Sequence, residues 1–342
     1  MGLTYVRQLP SPEEIIAEAP VSPAVREAKA ARDAKIKEIF TGGNDQFLLI
    51  VGPCSADNED AVRDYMGRLA GLQEKVKDKI LIVPRIYTNK PRTTGEGYKG
   101  MMHQPDPNDS ANIVEGLKAI RRLHLRVAED TGMTAADEML YPENYAYLSD
   151  ILSYIAVGAR SVENQQHRLT VSGVEVPVGM KNPTSGDITV MLNAIKAAQI
   201  GHNFIFRGHE VETTGNPLAH AIMRGYVDQY GRNFPNYHYE DIVYLIEKYL
   251  ERDLSFPSII IDTNHANSNK KYLEQPRIAY EIVRNRHYDP TLKKHIKGLM
   301  MESYIEGGCQ GVGEGVYGKS ITDPCLSWED TERTVCTIAD KL

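Results

Sequence analysis

In the stretch VPRIYTNKPRTTGEGYKG, Val83 to Gly100, the cations Arg85, Lys90, Arg92 and Lys99 crowd around a single acid, Glu96, in a chain whose formal net charge is -7. Arginine forks suit phosphate and carboxylate oxygens, and a glycine-rich, threonine-bearing loop adds backbone and hydroxyl donors around one anion. A solvated basic loop is the ordinary explanation for such a run. It weakens here because Arg160, Lys181 and Arg224 lie at or near the ends of other apolar runs. Two or more anionic groups are therefore expected in one pocket, since such groups leave water only against fixed counter-charge.

A second set offers metal chemistry. Cys54, His265, Glu302 and Asp323 supply sulfur, nitrogen and oxygen donors from distant parts of the chain. No HExxH and no paired CxxC accompanies them, so spacing alone leaves each as a structural residue as readily as a ligand. Sulfur beside oxygen suits Mn, Fe, Co or Zn and does not choose among them. A third pattern is a decoy: GEGVYGKS, Gly313 to Ser320, matches both GxxxxGK[ST] and GxGxxG. Those motifs work when a strand runs straight into the loop and a helix starts at its end. Here the preceding apolar run is separated by YIEGGCQGV and Pro324 follows soon after, so nucleotide binding is not expected; EGGCQG reads as a flexible loop over a pocket, with Cys309 an incidental thiol.

These residues need elements to hold them. Residues 1 to about 45 read as an N-terminal arm with two helical stretches, SPEEIIAEAP and VREAKAARDAKIKEIF, ended by TGGND. From 46 to 342, eight short apolar runs recur near positions 47, 80, 132, 154, 176, 203, 258 and 296, most of them separated by helical stretches. Apolar strands alternating with amphipathic helices mean parallel strands covered on the outside, and eight such units suit a closed (β/α)8 TIM barrel. An open doubly wound sheet is the competitor. In a barrel, chemistry gathers at the carboxyl ends of the strands. The runs end, in order, in Cys54, Arg85, Glu138, Arg160, Lys181, Arg207, Asp262 with His265, and Glu302.

Composition limits the classes. With 42% hydrophobic and 25% charged residues, the 342-residue chain can bury a full core. No apolar run approaches the roughly 20 residues of a bilayer span and the N-terminal MGLTYVRQLPSPEE has no signal-peptide core, so a cytoplasmic protein without a membrane partner is expected. The acidic balance argues against nucleic acid, and the four cysteines form no disulfide framework.

The motifs GPCS, PRIYTNKPRTTGEGYKGM, GARSVENQQHR, GMKNPTSGD, DTNHANSNK, MMESYIEGG and YGKSITDPCLSWEDTE occur in one order, and the chain resembles the type I 3-deoxy-D-arabino-heptulosonate 7-phosphate (DAHP) synthases from about residue 5 to its end. The resemblance implies a TIM barrel condensing phosphoenolpyruvate with erythrose 4-phosphate, with release of phosphate, at the entry to aromatic amino-acid biosynthesis. It implies one divalent metal ion on Cys54, His265, Glu302 and Asp323. Arg85, Lys90, Arg160, Lys181 and Arg224 match the phosphoenolpyruvate positions; Arg92, Thr93 and Asp323 match the erythrose 4-phosphate side. Lys90, Lys181, His265 and Glu138 are the implied catalytic groups, and which of Glu138, Lys181 or His265 activates the attacking water stays open. The arm resembles an extension that pairs subunits, implying a homodimer or homotetramer with an aromatic amino-acid effector. FRGHEVETTGNP differs from the enterobacterial pattern and is similar to that of Gram-positive relatives, and MLYPENYAYLSD is shorter than its enterobacterial counterpart. The alternatives are a 3-deoxy-manno-octulosonate 8-phosphate synthase-like enzyme, disfavoured by KPRTT, and a nucleotide-binding protein built on GEGVYGKS.

Overall fold

The computed structural model describes residues 2–342. Eight parallel strands form one sheet: β1 (Phe47–Gly52), β2 (Ile80–Pro84), β3 (Ala136–Glu138), β4 (Tyr154–Val157), β5 (Val178–Lys181), β6 (Ala219–Met223), β7 (Ile259–Asp262) and β8 (Ile296–Glu302). Their spatial order is β2-β1-β8-β7-β6-β5-β4-β3. The two ends of that order meet: Arg85 forms a parallel bridge to Ala136, and the Ile86 N–H donates to the Ala136 carbonyl at 2.9 Å. That contact makes the sheet a barrel and removes the open alternative. Six of the strands, among them FLLIVG, are wholly buried, as strands covered on both faces must be.

Helices α1 (Pro12–Glu18) and α2 (Pro23–Thr41) precede the barrel; α3 (Glu59–Val76), α4 (Ile113–Thr131), α5 (Gln165–Val171), α6 (Ile188–Gln199), α7 (Tyr239–Leu250), α8 (Gln275–Tyr288), α9 (Pro290–His295) and α10 (Trp328–Lys341) surround it. Between β3 and β4 the crossover holds only a 3-10 turn, Pro142–Tyr147. Ser11 caps α1 in a reciprocal capping box with Glu14, and Ser22 caps α2, whose first residue is Pro23.

The sequence expectation fails at the sixth unit. Asn203–Phe206 pairs antiparallel with His209–Glu212 in a hairpin outside the barrel, and its alternating half-burial is that of a two-stranded ribbon. The true β6 reads AHAIM, whose alanines and histidine weaken its apolar signature although every residue is buried. Arg207 is accordingly not a mouth residue. It sits in the turn of the hairpin with φ 50°, its guanidinium 3.4 Å from Glu13 of α1. Arg224, directly after β6, takes the place assigned to it.

The interior of the barrel explains the role of α2. Ile36, Ile39 and Phe40 belong to the same buried cluster as Leu48, Ile50, Val83, Tyr154, Ile222 and Met300. The second helix of the arm therefore stoppers the amino-terminal end of the barrel and shares its core. Beside Phe40, its ring centroid 4.3 Å away, lies the fully buried imidazole of His220. Its Nδ1 donates to the Leu218 carbonyl at 2.8 Å, and Nε2 accepts from the Tyr154 hydroxyl at 2.8 Å.

Burial pushes His220 down to about 4 from 6.5. The unfolded chain therefore takes up a proton first as pH falls, so stability is lost between pH 6.5 and 4, by about 3 kcal/mol in all, and is unaffected by this group above pH 6.5. Urea unfolding of His220→Asn against the parent at pH 7 and pH 4.5 measures this: the gap in midpoint should narrow in acid. An unchanged gap would remove His220 from the acid response.

Candidate active site at the carboxyl end of the barrel

The strand ends build one cleft of about 270 Å³, lined by residues from distant parts of the chain. Of the residues singled out from sequence, Cys54, Arg85, Lys90, Arg92, Thr93, Glu138, Arg160, Lys181, Arg224, His265 and Asp323 all line it. Glu302 lies against its floor, 1% exposed, at the end of β8.

The floor is an ionic lattice. Arg85 donates through Nη1 to Glu302 Oε1 at 2.7 Å and through Nη2 to the Cys54 carbonyl at 3.3 Å, with its guanidinium 3.9 Å from the Tyr87 ring centroid. Glu302 Oε2 accepts from Asn264 Nδ2 at 2.5 Å. Gln275 fixes the backbone beneath, accepting from the Glu302 N–H and donating to its carbonyl. Burial opposes ionisation of Glu302, yet Arg85, His265 and Lys90 together hold its carboxyl below the ordinary value. Asp262, also fully buried, behaves alike: its Oδ2 lies 2.8 Å from His265 Nδ1 and 3.4 Å from Lys181 Nζ, and the two neighbours together outweigh burial and hold its carboxyl below the ordinary value, while burial lowers His265 itself.

Two loops bring in the rest. After β2 the chain folds back on itself: the Lys90 N–H donates to the Lys99 carbonyl, Arg92 Nε donates to the Tyr98 carbonyl at 2.7 Å, and the buried Tyr98 hydroxyl donates to the Ala56 carbonyl at 3.0 Å. The basic loop is thus folded over the cleft. After β8, Glu306–Cys309 pairs with Lys319–Ser320, and Gly308 exchanges backbone hydrogen bonds with Cys325, which returns Asp323 to the rim. EGGCQG is largely strand, against its reading as a flexible loop. No helix starts after Ser320 until Trp328, so GEGVYGKS has no helix N-terminus to face a phosphate.

Lys90 joins the two loops. Its Nζ lies 2.8 Å from Cys54 Sγ and 2.9 Å from Asp323 Oδ2, while Lys270 Nζ holds Asp323 Oδ1 at 2.9 Å. Burial works against the Lys90 charge, but Cys54 and Asp323 raise its pKa well above the lysine range. The Cys54 thiol is pushed up by burial and then by Glu302. Cys54, Glu302 and Asp323 offer ligand atoms within 4.8 Å of one another. One sulfur and two carboxylates fit a divalent transition ion. His265 stands at the edge of this set, with Nε2 3.8 Å from Glu302 Oε1. It occupies the left-handed region at φ 51°, strain of the kind that collects at functional sites.

Several contributors escaped the sequence reading. Asp262 had no role, although it anchors Lys181 and His265; Lys270, Ser161 and Thr184 also line the cleft. Lys270 closes the asparagine-rich turn NHANSNK, whose Asn269 and Lys270 also have positive φ. The asparagines were the available signal, since asparagine tolerates that backbone region.

Glycine at 158 shapes the pocket. A Cβ there would lie 2.2 Å from Glu138 Oε1, the movable end of a side chain. Gly158→Ala is expected to change stability by less than about 1 kcal/mol while displacing the Glu138 carboxylate and lowering turnover about a hundredfold, as ångström-scale misplacement does. Thermal unfolding and steady-state rates together check this; a large loss of stability with normal turnover of the folded fraction would contradict it.

With this geometry in view, comparison with known proteins is decisive. The sequence profile of the DAHP synthetase I family matches residues 21–335. The chain belongs to the DAHP synthetase I family. The Trp-sensitive phospho-2-dehydro-3-deoxyheptonate aldolase of Shigella flexneri is 36% identical over 342 residues, covering 98% of this chain and 95% of that protein. The Phe-sensitive enzyme of that name from Escherichia coli K12 is 36% identical over 348 residues, covering 99% and 96%. The structure of phospho-2-dehydro-3-deoxyheptonate aldolase from Francisella tularensis SCHU S4 superposes with a TM-score of 0.92 at 30% identity, covering 99% of this chain and 98% of that one. This DAHP synthetase I family member, its N-terminal helices and barrel together, thus spans 95–98% of the length of these relatives.

Proposed function

We propose that this barrel catalyses the DAHP synthase reaction: phosphoenolpyruvate, erythrose 4-phosphate and water give DAHP and phosphate, the first step of the shikimate pathway. The observation that carries the reading is the meeting, in one cleft, of at least six cationic side chains with the Cys54, Glu302 and Asp323 group. Two phosphates and a carboxylate need that many fixed charges to leave water.

Arg160, Lys181 and Arg224 are assigned to phosphoenolpyruvate. Arg224 is buried, and its Nη1 has no hydrogen-bond partner among the described residues. Burial and the nearby Arg160 charge both depress it, a like-charge pair that an anion relieves. Arg85 completes this side from the floor. Arg92 and Thr93, out on the folded loop, are assigned to the phosphate of erythrose 4-phosphate, with Asp323 near its aldehyde end.

In the reaction, C3 of phosphoenolpyruvate forms a carbon–carbon bond to the aldehyde carbon, whose oxygen gains a proton. Water adds at C2 and loses one proton. The bridging C2–O bond then breaks as the C2 hydroxyl gives up its remaining proton to the departing phosphate, leaving the ketone. Cys54, His265, Glu302 and Asp323 would hold a divalent ion that supplies Lewis acidity toward the aldehyde oxygen. Lys90, held charged by its anionic neighbours, donates hydrogen bonds rather than accepting a proton. Glu138, whose carboxylate makes no hydrogen bond among the described residues, is assigned to take the proton from water. Lys181, 3.4 Å from Asp262, is assigned to orient the enol substrate.

Phosphate release from the two substrates by metal-depleted protein, with and without added manganese, tests this. Turnover should need both substrates and rise with metal. Equal activity with arabinose 5-phosphate would move the assignment to the octulosonate alternative. No helix starts at the end of the GEGVYGKS loop, and nothing in the cleft favours the nucleotide reading.

The regulatory half of the proposal concerns the arm. Leu3, Tyr5 and Val6 are at least 80% exposed, an apolar segment suited to pairing subunits as a homodimer or homotetramer, with an aromatic amino acid as effector. The relatives' names carry Trp- and Phe-sensitivity. No helix of the described residues is long and apolar enough to cross a membrane.

A further inference from the structure

At the opposite, amino-terminal end of the barrel, a second concentration of positive charge surrounds a cavity of about 370 Å³. Its walls come from α2 and the segment that follows it, α8, α9 and the start of β8. Arg286 projects from α8, Lys293 and Lys294 from α9, and Lys297 from the first turn of β8; Asp45 and Gln46 enter from the segment joining α2 to β1. Four cations thus face one acid in a chain of net charge -7. None of the four forms an ion pair within 4.0 Å among the described residues.

Arg286 is the decisive residue. It is 8% exposed, its guanidinium lies 4.4 Å from the Phe47 ring centroid, and its one hydrogen bond runs from Nε to the Ile296 carbonyl at 3.1 Å. Its two terminal nitrogens have no partner among the described residues although the side chain lines the cavity. The fork thus opens onto the cavity without a protein partner, where a planar or tetrahedral oxyanion would engage both nitrogens. Lysines on a surface normally point apart into water, whereas here Lys297 is half-buried beside Arg286. Burial pushes Arg286 down to about 10, and burial together with the Arg286 charge lowers Lys297. The crowding is thus unfavourable as it stands, and a multivalent anion is what would reverse it.

We infer that the cavity between α8, α9 and the α2–β1 segment is an anion site for a small phosphorylated metabolite, distinct from the cleft at the other end of the strands. A phosphate or diphosphate suits it better than a single carboxylate. It presents several oxygens in a tetrahedral array, to which the Arg286 fork and the lysine point charges can each bind. The cavity has room for a small molecule, and the four cations in its wall set the preference for an anion. Because Asp45 and Gln46 belong to the segment that carries the α2 stopper into β1, an anion there would tie the stopper to β8.

Inorganic pyrophosphate is the probe, and the full chain with its lysines reductively 13C-methylated is the sample. The Lys293, Lys294 and Lys297 resonances, assigned with single Lys→Arg variants, should shift saturably with pyrophosphate, and should do so equally when the carboxyl-end cleft is filled with phosphoenolpyruvate. Calorimetry should show one class of pyrophosphate site weakened at least tenfold in Lys293→Gln/Lys294→Gln/Lys297→Gln, with turnover unchanged. Lys293→Gln/Lys294→Gln, both exposed, gives a milder variant if Lys297→Gln impairs folding, with weakening of at least threefold expected. If only Lys90 and Lys181 respond, or if the triple variant binds pyrophosphate like the parent, the inference fails.

Discussion

Cys54→Ala should retain the parent's circular dichroism and unfolding midpoint to within about 2 kcal/mol, yet lose metal-dependent turnover by at least about a thousandfold. Removing one small buried thiol opens a minor cavity. Its neighbours, however, are Lys90 and Asp323, at 2.8 and 3.6 Å, so the loss falls on the one point where the two active-site loops meet. Lewis-acid stabilisation is worth several kcal/mol of barrier, and a thousandfold corresponds to about 4. Two measurements separate binding from catalysis: metal affinity by calorimetry, and rate at saturating metal. Weak metal binding with near-normal saturated turnover would make Cys54 an affinity ligand alone. Full turnover at trace metal would take it out of the ligand set.

The second large effect is expected at Lys181. Lys181→Met removes a cation 3.4 Å from the fully buried Asp262, leaving His265 as that carboxylate's nearest partner. An uncompensated buried charge costs about 3 kcal/mol, and turnover should fall by a thousandfold or more because the enol substrate loses a charged contact. The pair can be dissected. Lys181→Met/Asp262→Asn should recover most of the stability, since neither charge is then stranded, while turnover stays lost. Urea unfolding and phosphate-release rates on the two single variants and the double variant provide the cycle. Recovery of activity together with stability would show that Lys181 matters only as structural counter-charge.

Much of the barrel was legible because its strands carry a local signal. Runs such as FLLIVG and SIIID are apolar on both faces, as only doubly covered parallel strands are, and the helices between them show caps and amphipathic spacing. Where that signal is diluted, the reading slipped. AHAIM hides a central strand behind small and polar residues, while NFIF imitates one from a surface ribbon, so Arg207 was placed at a mouth that it does not reach. The missing helix after β3 was equally invisible, since a 3-10 turn over PENYAY has no long-range period to read.

By itself, the sequence determined the alternation of strands and helices, the supply of charged groups at strand ends, and, through seven ordered motifs, the family. Those properties are local or additive along the chain. Closure through Arg85 and Ala136, the meeting of Cys54 with Asp323 from 269 residues away, and the packing of α2 into the barrel interior were decided only by tertiary structure. So were the pairing of Asp262 with Lys181 and the cationic cavity beneath the strands. Coulomb and hydrogen-bond energies depend on distance through space and on burial, and neither is a function of separation along the chain.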